Sequence, residues 1–197
     1  MSNKAENVIW NVPNQITAVR LVLSIVVFVL IPLKLHAAAL LVFVLAASTD
    51  WVDGYWARKY NQVTKLGRIF DPFVDKIIIC GTWTFLAAEP NSGITAWMAV
   101  VVMGREMLVT ALRGYIEQSG GDFSAKMAGK LKMVFQCVAV AASLVMLRHL
   151  AASPTNSVAN APLWLYWTLQ ISVWLAIVST VYSGLEYVFA AAKALRK

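Results

Sequence analysis

One acidic stretch organises this sequence: it reads Asp50-Trp51-Val52-Asp53-Gly54-Tyr55-Trp56-Ala57-Arg58 and is followed by Gly67, Asp71 and Asp75. Its four aspartates lie within a chain that is otherwise mostly apolar. An ionised carboxylate at membrane depth is energetically expensive and persists only with a partner or a function. Several carboxylates can share a divalent metal ion, because such ions prefer oxygen ligands. The stretch therefore predicts a metal site inside an apolar protein.

The composition is typical of a membrane protein. Of the 197 residues, 59% are hydrophobic and 14% are charged, whereas a soluble domain is about half apolar and about a quarter charged. The 8 Trp and 6 Tyr residues suit positions at the level of the lipid headgroups. We therefore expect an all-α integral membrane protein that forms a single domain over residues 1–197. Within it, residues 1–15 are expected to form a short juxtamembrane helix on the membrane surface.

Apolar stretches separated by Pro, Gly and polar residues predict the transmembrane helices. About six can be marked, at residues 16–33, 37–55, 73–88, 94–115, 128–147 and 163–191. Most of them reach the roughly 20 residues that a spanning helix needs. The second and third are short or polar at one end, and at both of these ends the sequence carries aspartates. The acidic stretch is therefore expected to end the second helix and to begin the third.

The basic residues predict the orientation of these helices. If both termini face the cytoplasm, the outer loops hold only Lys34 and Arg148 of the 17 Lys and Arg residues. Loops rich in Lys and Arg stay on the cytoplasmic side. We therefore expect a multi-pass protein of a bacterial-type inner (cell) membrane, with both termini and the active site cytoplasmic. The net charge of +7 then reflects orientation and attraction to anionic lipid. No basic stretch has the density of a nucleic-acid-binding arm, so no nucleic-acid partner is expected.

The spacing of the acids indicates how they would act. Asp50 and Asp53 are three residues apart, and Asp71 and Asp75 are four apart, so each pair shares one face of a helix. Two such helices facing each other would bring four carboxylates together, which suits two divalent cations that clamp a phosphate. Arg58 would add a planar guanidinium fork for a phosphate group.

The combined pattern is D-x-x-D-G-x-x-A-R, eight residues, then G-x-x-x-D-x-x-x-D. It resembles the signature of the CDP-alcohol phosphotransferase family. The resemblance implies a six-helix membrane enzyme, usually a homodimer, in which an alcohol hydroxyl displaces CMP from a CDP-linked lipid or alcohol. It implies Mg²⁺ or Mn²⁺, with two ions, at Asp50, Asp53, Asp71 and Asp75, and Asp75 as the general base. It also implies a binding pocket for the CDP-lipid, formed by Asn14, Thr17, Gly54, Ala57, Arg58, Thr64 and Gly67.

Further motifs resemble the phosphatidylglycerophosphate synthases within that family. They are P-N-x-x-T-x-x-R from Pro13, D-P-x-x-D-K from Asp71, the R-E-…-L-R helix from Arg105 to Arg113, and G-K-x-K-x-x-x-Q from Gly129. Met133 departs from the Thr expected after the second Lys of the last motif. The resemblance implies CDP-diacylglycerol and glycerol 3-phosphate as substrates and phosphatidylglycerophosphate and CMP as products. Because glycerol 3-phosphate is a dianion, cationic side chains should bind it, and Arg105, Arg113, Lys130 and Lys132 are the candidates.

Three other interpretations remain open at the level of the sequence. The first is a sister enzyme that uses another acceptor, namely inositol phosphate, serine or phosphatidylglycerol. The second is a membrane prenyltransferase, which also uses aspartates and Mg²⁺, although the D-G-x-x-A-R continuation argues against it. The third is a transporter or channel with a cation site, which the absence of internal repeats disfavours.

Overall fold

The computed structural model describes residues 12–60, 65–118, 127–153, 158 and 161–195, and within these ranges the chain is helical without any strand. Side chains are described for 14–49, 70, 72–116, 131–153, 158 and 161–193. Over this part of the chain there are six helices: α1 (Val12–Leu30), α2 (His36–Tyr60), α3 (Lys65–Ala88), α4 (Ala96–Gln118), α5 (Met127–Ala152) and α6 (Leu163–Leu195). The predicted all-α class and helix number are therefore confirmed over the described residues.

The helix boundaries differ from the apolar stretches mainly at the acidic region. Helix α3 begins at Lys65, eight residues before the predicted start at residue 73, and it contains Pro72. A proline removes one amide donor from a helix but does not prevent it from continuing where neighbouring groups compensate. The juxtamembrane segment expected over residues 1–15 lies outside the described residues except for its last four, which form the first turn of α1.

The first of two compact units comprises the chain up to Phe85, with α1, α2 and most of α3. Within it, the rings of Phe28 and Phe85 stack with centroids 5.2 Å apart. The same ring of Phe28 lies against Gly81, where any Cβ atom would collide with it. Gly81 is therefore required for the close approach of α1 and α3.

A tight reversal joins α1 to α2. Lys34 adopts a left-handed conformation (φ 61°), its amide donates to the carbonyl of Ile31, and the amide of Leu35 donates to the carbonyl of Leu30 at 3.1 Å. This is a Schellman arrangement, which satisfies carbonyl groups left free at a helix C-terminus. It ends α1 at Leu30, close to the break predicted between residues 33 and 37.

The second unit begins at Leu86 and contains α4, α5 and α6. Helix α6 packs against both α4 and α5. Buried hydrogen bonds fix this arrangement, because Gln136 donates to Thr180 at 2.9 Å and Ser143 donates to the carbonyl of Ser92 at 2.7 Å. In the turn before α4, Gly93 has φ +75° and packs on Leu169, so a side chain at this position would be strained by both backbone and contact.

Two of the helices, within the described residues, are long and apolar enough by length and composition to cross a membrane: Leu131–Ala152 and Leu163–Lys193. Asn14–Leu30 and His36–Thr49 are shorter apolar segments of α1 and α2. Large hydrophobic side chains are exposed along α1, as at Val22, and along α6, as at Phe189, which is 71% exposed. Apolar faces of this kind are expected where lipid replaces water.

Candidate active site

The four aspartates lie on two helices of the first unit. Asp50 and Asp53 are on α2, and Asp71 and Asp75 are on α3. Only Asp75 belongs to the residues whose side chains are described, so convergence of the four carboxylates remains a prediction. For the same reason no group of three metal-ligating side chains occurs among the described residues. The donor chemistry of four carboxylates is nevertheless that of a site for hard divalent cations.

Asp75 is held by an arginine from α1. The Nη1 group of Arg20 donates to Oδ1 of Asp75 at 2.5 Å. The Arg20 side chain is 1% exposed, whereas that of Asp75 is 28% exposed. The carboxylate is therefore anchored on its buried side by a cation while part of it stays open to a ligand.

The same arginine reaches α2. Its Nε group donates to Oγ1 of Thr49 at 3.4 Å, and Thr49 directly precedes Asp50. One guanidinium thus links a residue next to the first acidic pair with a member of the second pair. Arg20 was not among the sequence-derived site residues. The signal was present, because Arg20 ends the P-N-x-x-T-x-x-R motif and is a cation in an apolar run, which requires an anionic partner.

The pocket predicted for the CDP-lipid falls mostly outside the described side chains. Asn14 and Thr17 are on α1, and Thr17 is buried with 4% exposure. Thr17, Arg20 and Ser24 form a buried polar strip on α1. Backbone positions on α2 are described for Gly54, Ala57 and Arg58, and on α3 for Gly67, whereas Thr64 lies outside the described residues.

A second polar cluster is buried in the second unit. Arg105 and Glu106 are adjacent on α4 and only 9% and 8% exposed. The Nη1 group of Arg105 donates to Oε1 of Glu106 at 3.2 Å, and Nζ of Lys132 from α5 forms an ion pair with the same oxygen. Glu106 therefore joins two of the predicted acceptor-binding cations. Lys130 is on α5, and its side chain lies outside the described ones.

Helix α6 brings a tyrosine to this cluster. Nη2 of Arg113 donates to the Tyr187 hydroxyl at 3.3 Å. The guanidinium carbons of Arg105 and Arg113 lie 5.5 and 6.0 Å from the centre of the Tyr187 ring. Arg105, Arg113 and Lys132 are thus brought together, as predicted for three of the four acceptor-binding residues. Tyr187 and the bridging role of Glu106 were missed, since α6 carries no recognised motif and a lone tyrosine in an apolar helix gives no signal.

Several donors of the two arginines are buried but unused. Nε and Nη2 of Arg105 and Nε of Arg113 have no hydrogen-bond partner among the described residues. Buried polar groups in folded proteins are nearly always paired, so such groups call for an explanation. Arg105, Arg113 and Lys132 with Glu106 sum to a net charge of +2 (three cations, one anion). Free donors and excess positive charge together are suited to binding an anion.

Comparison with known proteins agrees with these features. The family model for CDP-alcohol phosphatidyltransferase matches residues 10–184. A Bacillus subtilis protein named CDP-diacylglycerol–glycerol-3-phosphate 3-phosphatidyltransferase is 34% identical over 90% of this chain and 93% of its own length. An Escherichia coli K12 protein of the same name is 30% identical over 92% of this chain and 95% of its own length. The family model spans the acidic stretch and the cationic residues of α4 and α5. Together with the extent of the two relatives' matches, this shows that the chain belongs to the CDP-alcohol phosphatidyltransferase family.

Proposed function

We propose that this protein transfers the phosphatidyl group of CDP-diacylglycerol to glycerol 3-phosphate and so forms phosphatidylglycerophosphate and CMP in phospholipid biosynthesis. The observation that carries the proposal is the cluster of Arg105 and Lys132, both buried, with the half-buried Arg113, whose three positive charges exceed the single negative charge of Glu106. Glycerol 3-phosphate offers a matching anion, because a phosphate monoester carries close to two negative charges at pH 7. The two relatives carry the name of this activity.

The acceptor phosphate would be bound by the unused donors of the arginines. Nε and Nη2 of Arg105 form one edge of its guanidinium, and both are without a partner among the described residues. Such an edge presents two parallel N–H groups, which is the geometry for two-point recognition of a phosphate. Lys132 would contribute charge while its amine remains paired with Glu106. Lys130 is assigned to the same role from its sequence position alone.

Asp75 is proposed as the general base. The attacking hydroxyl of glycerol 3-phosphate must lose a proton as it displaces CMP from the β-phosphorus of CDP-diacylglycerol. Arg20 holds one oxygen of Asp75 and so keeps the carboxylate oriented. A carboxylate oriented in this way can accept the proton within hydrogen-bond distance.

Divalent cations are proposed at Asp50, Asp53, Asp71 and Asp75, as two ions of Mg²⁺ or Mn²⁺. When bound, such ions neutralise the diphosphate and stabilise the charge that develops on the leaving CMP. Around them, Gly54, Ala57, Arg58, Thr64 and Gly67, with Asn14 and Thr17, are proposed to hold the CDP moiety. The cations would be needed even without a substrate, since each carboxylate must be neutralised in an apolar surrounding.

We also propose that all six helices cross a bacterial-type inner membrane, with both termini cytoplasmic, and that the enzyme is a homodimer. The apolar composition and the two helices that are long and apolar enough to cross a membrane support membrane insertion. The placement of Lys34 and Arg148 as the few basic residues of the outer loops supports the orientation. The dimer rests on resemblance to the family.

A direct assay tests the proposed reaction. Purified enzyme in mixed micelles is supplied with CDP-diacylglycerol, Mg²⁺ and radiolabelled glycerol 3-phosphate, and CMP and labelled lipid are quantified. We expect the two products in equal amounts, and none after chelation of the metal. Parallel reactions contain inositol phosphate, serine or phosphatidylglycerol as the acceptor. Product from one of these and none from glycerol 3-phosphate would transfer the assignment to a sister enzyme of the same family.

A further inference from the structure

We propose that Tyr187 on α6 is a positioning residue that holds Arg105 and Arg113 as a pair for the acceptor phosphate, and that it thereby sets the affinity for glycerol 3-phosphate. The inference rests on the proposed function, because it concerns the phosphate site of that reaction. It assigns a role to α6, a helix in which the sequence carries no recognised motif.

Tyr187 contacts both arginines through different parts of its side chain. Its hydroxyl accepts a hydrogen bond from Nη2 of Arg113 at 3.3 Å. Its ring lies under the guanidinium of Arg105, with 5.5 Å between the guanidinium carbon and the ring centre. Because the tyrosine itself is 2% exposed, its ring and hydroxyl have little freedom to move.

Such a support is needed because the two arginines repel each other. Both are cations in the same cluster, and the carboxylate of Glu106 is shared between Arg105 and Lys132. The negative face of an aromatic ring attracts a guanidinium, and the attraction grows when water is excluded. A neutral tyrosine can therefore hold two cations in place without cancelling the positive charge that an anionic substrate requires. A second carboxylate at this position would pair with the arginines and compete with the phosphate.

The contacts also leave a defined part of Arg105 free. Glu106 accepts from Nη1 and Tyr187 faces the plane of the group, while Nε and Nη2 have no hydrogen-bond partner among the described residues. The guanidinium is thus held by its third nitrogen and its face, and the two donors of its other edge are left without a hydrogen-bond partner among the described residues. Pre-ordering of this kind raises affinity, because the side-chain entropy is lost before the ligand binds.

Helix α6 is long enough to carry this function in addition to a membrane span. It has 33 residues, which corresponds to about 50 Å at 1.5 Å per residue, whereas a bilayer core is about 30 Å thick. Tyr187 lies in its last three turns, one turn after Gly184. A Cβ atom at Gly184 would lie 3.2 Å from Cγ of Arg105, so the helix surface beside Tyr187 is shaped to admit the arginine stem.

Steady-state kinetics of the full-length enzyme test the role of Tyr187. Tyr187→Leu removes the ring and the hydroxyl, whereas Tyr187→Phe keeps the ring and its volume. From the usual strengths of cation–π contacts and of hydrogen bonds to charged groups, we expect the KM for glycerol 3-phosphate to rise about 10-fold or more in the first variant and about threefold in the second. The KM for CDP-diacylglycerol should stay within about twofold of wild type, because the arginines that Tyr187 contacts are proposed to bind the acceptor phosphate.

Tyr182 provides matched controls. It lies on the same helix but is 65% exposed, so Tyr182→Leu and Tyr182→Phe should change neither KM. If Tyr187→Leu does not fold, Tyr187→Phe decides, since it preserves the packing. An unchanged KM for glycerol 3-phosphate, or an equal rise of both KM values, overturns the inference. A residue with a merely structural role would lower the fraction of active enzyme without raising the KM for glycerol 3-phosphate selectively. Wild-type enzyme that makes no lipid from glycerol 3-phosphate overturns the proposed function itself, and the present inference with it.

Discussion

A single buried arginine in α1 contacts both acidic helices. Arg20 is 1% exposed and bonds to Asp75 on α3 and to Thr49 on α2. Its backbone carbonyl also accepts the hydroxyl of Ser24 at 2.8 Å. A cation in this position compensates the carboxylate, and the carboxylate compensates the cation, so each makes the other tolerable in an apolar environment. Arg20 is for this reason a structural partner of the proposed base.

Removal of Arg20 should destabilise the protein through the partner that it leaves behind. Arg20→Met keeps most of the apolar stem but leaves the Asp75 carboxylate without its cation. We expect a loss of about 1–3 kcal/mol in unfolding free energy, the usual cost of an unsatisfied buried group, as measured by denaturation in mixed micelles. Arg20→Lys, which keeps the charge without the planar fork, should lose less.

The double variant Arg20→Met with Asp75→Asn separates the charge from the packing. With Asn at position 75 no carboxylate is left without the cation that Arg20 supplied, so stability should recover relative to Arg20→Met alone while activity stays lost. Losses that simply add would show that the two residues do not interact energetically.

Substitution of the proposed base should separate catalysis from folding. In Asp75→Asn the amide oxygen can still accept the Arg20 hydrogen bond, while its nitrogen cannot take a proton from the acceptor hydroxyl. We expect CMP release to fall by at least about 100-fold, within the range for loss of a general base. Thermal unfolding and binding of CDP-diacylglycerol, measured on the same preparation, should change little. Substantial remaining turnover would assign the base role to another group.

At the scale of helices, the apolar pattern predicted the elements well and their polar ends less well. The starts and ends of α1 and α2 around Lys34 follow from local breakers, which act within a few residues. The start of α3 was missed because polar residues precede Phe73 and Pro72 reads as a boundary, whereas the helix continues back to Lys65. A helix that borders a site carries polar residues for function, so hydrophobicity alone underestimates its length.

In the candidate site, residues that belong to a motif were predicted, whereas residues placed by helix packing were not. Arg105, Arg113 and Lys132 were predicted to act together because two motifs place them on α4 and α5, and they do lie together. Tyr187 could not be predicted, because its role depends on which face of α6 meets α4, and this is set by packing across more than 70 residues of chain. Arg20 lies between these two cases. The sequence shows that a cation in an apolar run needs an anionic partner, but it does not show that the partner is Asp75.

Gly184 offers a test of how closely α6 must approach α4. In Gly184→Ala the new methyl group would lie 3.2 Å from Cγ of Arg105, so the arginine stem must shift by a few tenths of an ångström. We expect the KM for glycerol 3-phosphate to rise about threefold, which corresponds to about 0.7 kcal/mol. Stability should be equal or higher, since Ala is favoured over Gly in a helix by about 1 kcal/mol.

Gly104→Ala is the matched control for this change. It makes the same substitution in α4 next to Arg105, but no atom lies within 4 Å of the added Cβ position. It should gain helix stability and keep both KM values. An equal KM increase in the two variants would indicate that helix flexibility, and not the approach to Arg105, is responsible.

At the scale of the whole molecule, the positions of the charged residues reflect both their proposed catalytic roles and the proposed orientation in the membrane. The proposed metal ligands belong to the first unit and the described acceptor-binding cations to the second. Both sets lie in the parts of the chain that were assigned to the cytoplasmic side. In the proposed orientation, water-soluble glycerol 3-phosphate would reach the acceptor-binding cations without crossing the membrane, so the predicted positive-inside arrangement would serve catalysis as well as topology.

The proposed orientation can be tested at the C-terminal ends of the last two helices. Ala152 ends α5 and Lys193 is in the last turn of α6, and both are exposed. Because α5 and α6 follow each other through a short loop and pack side by side, these two ends should face opposite sides of the membrane. Single cysteines at the two positions, in a variant with Cys80 and Cys137 replaced by Ala, are treated in intact cells with a thiol reagent that cannot cross the membrane. We expect labelling of residue 152 alone, with residue 193 labelled only after lysis. Labelling of residue 193 in intact cells would place the C-terminus outside and reverse the proposed topology.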